Sequence, residues 1–110
     1  MMVYLYLFIA IISEVIATTS LKASENFSKL YPSMTVIIGY AISFLLLSLV
    51  LKTLPVGIAY SYWSGLGIIF ITIAGHFLYN QKLDKFAIIG ITLIIIGIII
   101  INLFSKSSKN

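Results

Sequence analysis

Four long apolar runs, separated by short polar turns, occupy nearly the whole chain. They cover residues 3–21, 34–51, 56–78 and 86–104. Each run reaches the roughly 18 to 23 residues that a helix needs to cross about 30 Å of hydrocarbon. Of the 110 residues, 61% are hydrophobic and only 9% are charged, which is too little polar surface for a soluble domain. The sequence therefore predicts an all-α integral membrane protein, with four transmembrane helices in a single domain over residues 1–110.

The turns between the runs are short. The first covers residues 22–33, the second is Lys52–Pro55, and the third, residues 79–85, reads YNQKLDK. Links this short join neighbouring helices that run in opposite directions, so the pattern predicts an up-down four-helix bundle. Pro55 is expected to open the third helix at its first turn, where a missing N–H is tolerated.

The first run contains one charged residue, Glu14, near its middle. An acid at the centre of a spanning helix costs on the order of 3 kcal/mol to insert, so it predicts a functional site. A structural acid paired with one basic partner is the alternative, although no lysine or arginine lies within any of the four runs. At about 100° per residue, the positions within about 60° of Glu14 are mostly small or mildly polar and leave room for a ligand. They are Leu7, Ala10, Ile11, Ala17, Thr18 and Leu21.

The lysines are divided almost evenly between the two sides of the membrane. Three share the side of the N-terminus, the second turn and the C-terminus, and four lie on the other side. They are Lys52, Lys106 and Lys109 against Lys22, Lys29, Lys82 and Lys85. Because this count gives no clear positive-inside bias, it favours insertion in both orientations and an antiparallel homodimer. One fixed orientation, or a partner chain of complementary bias, is the alternative.

A four-helix monomer is also too small to enclose a substrate path with its own helices, which favours oligomerisation. Gly90 and Gly97 are seven residues apart and share one face of the fourth helix. Small residues on one face let another helix approach closely, so these glycines predict a dimer contact. Two unrelated glycines in an isoleucine-rich run would give the same pattern.

The third run has aromatic and polar residues within an apolar segment. Tyr60, Trp63 and Ser64 share one helical face. Cation–π attraction reaches about 2 kcal/mol once water is excluded, so these rings suit a site for hydrophobic cations beside an anionic Glu14. Interfacial anchoring or packing is the alternative.

Two further features extend this prediction. Tyr40 and Phe44, one turn apart in the second run, are candidates for the same site. Gly65 and Gly67 interrupt the third helix and predict a hinge.

Several classes of protein are disfavoured. There is no cysteine, which excludes disulfides and thiolate metal sites. The formal net charge is +4, but the lysines are scattered, so a nucleic-acid partner has no support. The first run lacks a basic n-region and a small-residue cleavage site, unlike a signal peptide.

Several segments, in order, match a known family: SEVIATTSLKAS around Glu14, LPVGIAYSYWSGLG around Trp63, the QKLD turn with Asp84, and residues 90–102. With them the chain resembles, from end to end, the small multidrug resistance family of proton-coupled exporters. The resemblance implies an antiparallel dimer in which both Glu14 side chains form one site. That site would bind protons or a cation in competition and alternate between the two membrane faces. The resemblance also implies that the fourth helices form much of the dimer contact.

The predicted site draws on the first three helices. It consists of Glu14, Trp63, Tyr60, Tyr40, Tyr4, Thr18, Ala10, Ser64 and Phe44. The family's guanidinium-exporting branch has a Trp three residues after the acid, where this chain has Ala17, which favours the quaternary ammonium branch. Ala17 in place of a Gly frequent in that branch predicts a modest narrowing of the pocket. His76, near the end of the third helix, is expected to face an interface or lipid headgroups.

Together with these residues, the resemblance implies proton-coupled export of lipophilic and quaternary ammonium cations through the bacterial inner membrane. Proton and cation would compete for Glu14, and the proton gradient would drive a secondary active transporter that is not an enzyme and needs no cofactor or metal. The expected partners are membrane lipid and a second copy of the chain, or a paired homologue. Two alternatives stay open: a guanidinium or polyamine exporter of the same fold, and a non-transporting membrane assembly subunit.

Overall fold

The computed structural model describes residues 2–104 as four α-helices joined by short turns. They are α1 (Met2–Ala23), α2 (Leu30–Val50), α3 (Val56–Tyr79) and α4 (Lys85–Phe104). All four are long and apolar enough to cross a membrane, and residues 2–104 include no β-strand. The predicted all-α fold with four transmembrane helices is confirmed. The tail lysines in the topology argument, Lys106 and Lys109, lie outside the described residues.

The chain divides into two compact units. The first contains α1 and α2, and the second contains α3 and α4. The single four-helix domain over residues 1–110 stays a prediction.

In the first unit, small residues let α1 and α2 pack closely. Ala10, Ile11 and Ala17 of α1 are fully buried, and Gly39 of α2 lies against Ala17. Lipid is as apolar as these side chains, so the helices gain little hydrophobic drive and associate through close van der Waals packing. We call the contact formed by Ala10, Ser13, Ala17, Gly39 and Ser43 the α1–α2 interface.

In the second unit, α3 and α4 touch at fewer places. Ile98 of α4 lies directly over Gly65 of α3, where a methyl group would overlap its side chain. Near one end of α4, the Tyr62 hydroxyl donates a 2.6 Å hydrogen bond to Asn102 Oδ1. No residue within α4 (Lys85–Phe104) is buried. The second unit is therefore held together at a few contacts rather than along a continuous interface.

The first turn is shorter than the predicted 22–33, because α1 ends at Ala23 and α2 starts at Leu30. Ser24 is fully buried, and its hydroxyl donates to the Leu21 carbonyl at 2.7 Å. The same hydroxyl accepts a hydrogen bond from the Phe27 backbone N–H at 3.1 Å. These bonds stabilise a reversal in which three consecutive residues have left-handed φ angles, Glu25, Asn26 and Phe27.

The start of α3 differs slightly from the expectation. Pro55 is the residue before the helix, with a non-helical ψ of 147°, and its carbonyl accepts the Ala59 N–H at 3.0 Å. The expectation that Pro55 lies in the first turn was therefore wrong by one position. Pro32, by contrast, lies in the first turn of α2. The backbone N–H groups of a first turn have no partner within the helix, so the N–H that proline lacks is not missed there.

Candidate functional site

Glu14 lies near the middle of α1, the helix that fits tightly against α2. Its side chain is half-buried. Three of its neighbours on the helical wheel, Leu7, Ala10 and Ile11, are buried. The acid is thus placed at membrane depth on a helix whose surroundings are mostly apolar.

One turn from Glu14, a hydrogen bond links the two helices of the first unit. Thr18 Oγ1 and the Tyr40 hydroxyl are 2.6 Å apart. The Tyr40 ring stacks with that of Phe44, with centroids 5.9 Å apart and planes inclined by 14°. The structure therefore brings Thr18, Tyr40 and Phe44 together, and an aromatic pair is tethered to the helix that contains the acid.

Ser43 is a residue of the α1–α2 interface, close to the turn of Glu14, that the sequence analysis missed. It is fully buried, and its hydroxyl donates to the backbone carbonyl of Ala10 at 2.9 Å. Its signal in the sequence is a small polar residue one turn after Tyr40, near the middle of the apolar run 34–51. Ser43 therefore fixes α2 to the turn of α1 that leads into Glu14.

Ala17 was expected to line the pocket beside Glu14, but it lies between α1 and α2. It is fully buried, and its Cβ would lie only 2.8 Å from a Cβ added at Gly39. The methyl group therefore fills the α1–α2 interface and does not line an open cavity. The predicted narrowing of the pocket by Ala17 was wrong, because the helical wheel places Ala17 near Glu14 but does not show which neighbouring helix covers that side.

The remaining predicted site residues are more open. Tyr60 of α3 is 71% exposed, and Trp63 and Ser64 are half-buried on the same helix. Tyr4, in α1, is exposed as well. Tyr60, Trp63 and Ser64 belong to the second unit, so their assembly with Glu14 into one site stays a prediction.

The predicted hinge and dimer glycines differ in their surroundings. Gly65 and Gly67 are buried within α3, and Gly65 makes room for Ile98. At Gly90 and Gly97, by contrast, an added methyl group would meet no described atom within 4 Å. Their roles as hinge and dimer contact stay predictions.

His76 lies near the end of α3 and is exposed. Its ring packs edge-on against Phe77, with centroids 5.1 Å apart, and its Nδ1 is 3.3 Å from the Gln81 carbonyl oxygen. Within residues 2–104, no three His, Asp or Glu side chains form a group that could hold a metal ion. The chemistry available at the described site is that of one carboxylate, hydroxyl groups and aromatic rings.

Comparison with known proteins identifies the family. A family model described as Small Multidrug Resistance protein matches residues 2–94. The chain belongs to the small multidrug resistance family. Its relatives include the quaternary ammonium compound-resistance protein QacE of Escherichia coli, 55% identical over 97% of both chains. Multidrug transporter PA4990 of Pseudomonas aeruginosa is 53% identical over 96% of both chains, and multidrug transporter EmrE of Escherichia coli is 49% identical over 97% of both.

Membership of the small multidrug resistance family confirms the resemblance found in the sequence, and these relatives match nearly the full chain. Together with the four spanning helices, it confirms a multi-pass membrane protein. Relatives that match nearly the whole chain are named as multidrug transporters, which is consistent with a transporter rather than an enzyme.

Proposed function

We propose that this small multidrug resistance protein exports lipophilic and quaternary ammonium cations in exchange for protons, with Glu14 as the shared site. The observation that carries the proposal is the position of Glu14, a carboxylate in the middle of a spanning helix, one turn from Thr18, whose hydroxyl is hydrogen-bonded to that of Tyr40, the ring that stacks with Phe44. An intramembrane acid is costly to insert and typically belongs to an ion or proton pathway. The resistance to quaternary ammonium compounds named for QacE supports the same class of substrate.

The chemistry follows from one carboxylate serving two ligands. Ionised Glu14 attracts a cation, and the flat faces of Tyr40 and Phe44 add cation–π attraction and apolar contact without demanding a particular substrate shape. Protonated Glu14 has no charge to offer, so a proton and a cation exclude one another. Exchange of one for the other, on opposite sides of the membrane, couples export to the proton gradient.

The proposal includes an antiparallel dimer in which two Glu14 side chains share one site. The near-equal division of lysines between the two sides supports insertion in both orientations. The open space at Gly90 and Gly97 supports a helix–helix contact there, since neither glycine is covered by described atoms of its own chain. Trp63 and Tyr60 would complete the aromatic wall of the shared site.

The test is binding of tetraphenylphosphonium to the purified protein in detergent, measured across a pH series. A cation that displaces one proton should bind about tenfold more weakly for each pH unit below the titration range of the acid. Glu14→Gln should abolish both the binding and its pH dependence, because an amide replaces the acid at nearly constant volume.

Glu25→Gln is the matched control. Glu25 is exposed in the first turn, 3.6 Å from Lys29, and its replacement should leave binding unchanged. Retained pH-dependent binding by Glu14→Gln would refute the proposal. Preference for guanidinium or a polyamine over tetraphenylphosphonium would favour the alternative exporter, and no cation binding at all would favour an assembly subunit.

A further inference from the structure

Gly39 of α2 is the point of closest approach in the α1–α2 interface. A methyl group added there would lie 2.8 Å from the Ala17 Cβ and 3.0 Å from the Ser13 carbonyl oxygen. The first separation is shorter than any ordinary contact between carbon atoms, and the second is tight. With alanine at position 17, only glycine at position 39 lets the helices approach this closely.

The atoms that Gly39 touches surround the acid. Ser13 immediately precedes Glu14, and Ala17 is one turn further along α1. On the other side of the acid, Ser43 donates its hydrogen bond to the Ala10 carbonyl. In an α-helix this carbonyl also accepts the N–H of the residue four positions later, which here is Glu14. Helix α2 therefore contacts α1 both before and after the acid.

These contacts restrict how α1 can rotate or shift. A rotation of α1 about its own axis would separate Ser43 from Ala10 and bring Ala17 out of the space left by Gly39. The direction in which Glu14 leaves the helix is thereby set by the packing of α1 residues one turn before and one turn after it. The methyl group of Ala17 fills the volume that a side chain at position 39 would occupy.

We propose that Gly39 and Ala17 are a matched pair of positioning residues for Glu14. Ala17 supplies a single methyl group from α1, and Gly39 leaves the space for it on α2. The inference rests on the proposed function, because it concerns the acid that binds the cation. Neither residue needs to touch the substrate. Moving the methyl group from one helix to the other should therefore restore much of the geometry that an extra methyl group disrupts.

The experiment compares Gly39→Ala, Ala17→Gly and the double variant with the wild-type protein. The readouts are the affinity for tetraphenylphosphonium and the midpoint pH at which protons displace it. Gly39→Ala should weaken binding on the order of tenfold, since small displacements of a reacting group have large effects. It should also move the midpoint away from the wild-type value, because the surroundings of the carboxyl change.

Adding Ala17→Gly to Gly39→Ala should return most of the affinity and the midpoint. The return is expected to be incomplete, because the alanine at position 39 still lies 3.0 Å from the Ser13 carbonyl oxygen. Gly57→Ala is the matched control, since a methyl group there meets no described atom within 4 Å. It should leave both readouts at their wild-type values.

Wild-type affinity and midpoint in Gly39→Ala would overturn the inference, and so would a double variant no better than Gly39→Ala. Should Gly39→Ala fail to fold, Ala17→Gly is compared with the double variant. Ala17→Gly loosens the α1–α2 interface and should then show a shifted midpoint, whereas the double variant should show a midpoint close to that of the wild type. Equal midpoints in the two variants would refute the proposal that Gly39 and Ala17 act as a matched pair. A wild-type protein without pH-dependent binding would contradict the proposed function itself, which is a separate result.

Discussion

The hydrogen bond between Thr18 and Tyr40 gives a prediction whose size follows from the structure. The two oxygen atoms are 2.6 Å apart, and both side chains are half-buried between α1 and α2. Hydrogen bonds between helices of membrane proteins contribute about 0.6 kcal/mol on average and about 1.7 kcal/mol at most. The short distance places this bond in the upper part of that range, so we expect about 1 kcal/mol.

The perturbation is a double-mutant cycle of Thr18→Val and Tyr40→Phe, each of which removes one hydroxyl and keeps the shape. Each single variant should lower the free energy of unfolding by about 1 kcal/mol. The double variant should lose little more than either single variant, because the second hydroxyl has no bond left to lose. Unfolding in mixed detergent micelles, followed by circular dichroism, measures these values.

The same bond orients the stacked pair of Tyr40 and Phe44, so cation binding provides a second readout. A loss of 1 kcal/mol changes the ratio of tethered to untethered ring about fivefold. The affinity for tetraphenylphosphonium should therefore fall by up to about fivefold if the tethered ring is the binding form.

The controls make the same chemical changes where no bond joins the helices. Thr35→Val removes a hydroxyl that bonds only to Tyr31 O of its own helix, and Tyr31→Phe alters a ring that is 80% exposed. Both should stay within a few tenths of a kcal/mol of the wild type. Additive losses in the Thr18 and Tyr40 cycle would show that the two hydroxyls are not coupled and would refute the reasoning.

Three other predictions concern single side chains. Ser43→Ala should lower the free energy of unfolding by about 1 kcal/mol, because the hydrogen bond to the Ala10 carbonyl is lost. The Ser48 hydroxyl bonds within α2, so Ser48→Ala should have almost no effect, and equal losses in the two variants would contradict the prediction. Tyr62→Phe removes the hydrogen bond to Asn102 and should lower the free energy of unfolding of the second unit by up to about 1 kcal/mol in the same assay. In a protein that already contains Asn102→Ala, the same substitution should have no further effect. Trp63→Ala should weaken tetraphenylphosphonium binding by about 1 to 3 kcal/mol, and unchanged binding with weakened dimerisation would show that the ring only packs.

The four helices could be predicted from the sequence because membrane thickness sets their length. A run of about 20 apolar residues has few alternatives in lipid, where each backbone polar group needs an internal partner. Glu14 was equally visible, since an ionisable residue within such a run is rare and costly. The helix ends were less well predicted. Helix α2 begins at Leu30, four residues before its apolar run at 34–51, with Pro32 in its first turn, where a missing N–H is tolerated.

The contacts between helices could not be predicted in the same way. In a soluble protein the apolar face of a helix indicates which side is covered, but these helices are apolar on nearly every side. The wheel therefore placed Ala17 close to Glu14 but could not show that Gly39 covers it. Ser43 was overlooked for the same reason, because nothing in the sequence shows that its face of α2 meets the Ala10 carbonyl.

Helix α4 shows which observations support a dimer and which do not. Six of its ten isoleucines are exposed, but in lipid an exposed isoleucine is in a medium as apolar as itself, so exposure alone gives no drive toward a partner. Two polar side chains in the body of α4 already have partners in their own unit, Asn102 with Tyr62 and Thr92 with the Ile88 carbonyl. Van der Waals packing is what remains, and it favours Gly90 and Gly97, where a second helix could approach the backbone. The proposed dimer contact would thus depend on close packing at these glycines rather than on hydrogen bonds. Enlarging either glycine should then weaken the contact more than removing a polar group from α4.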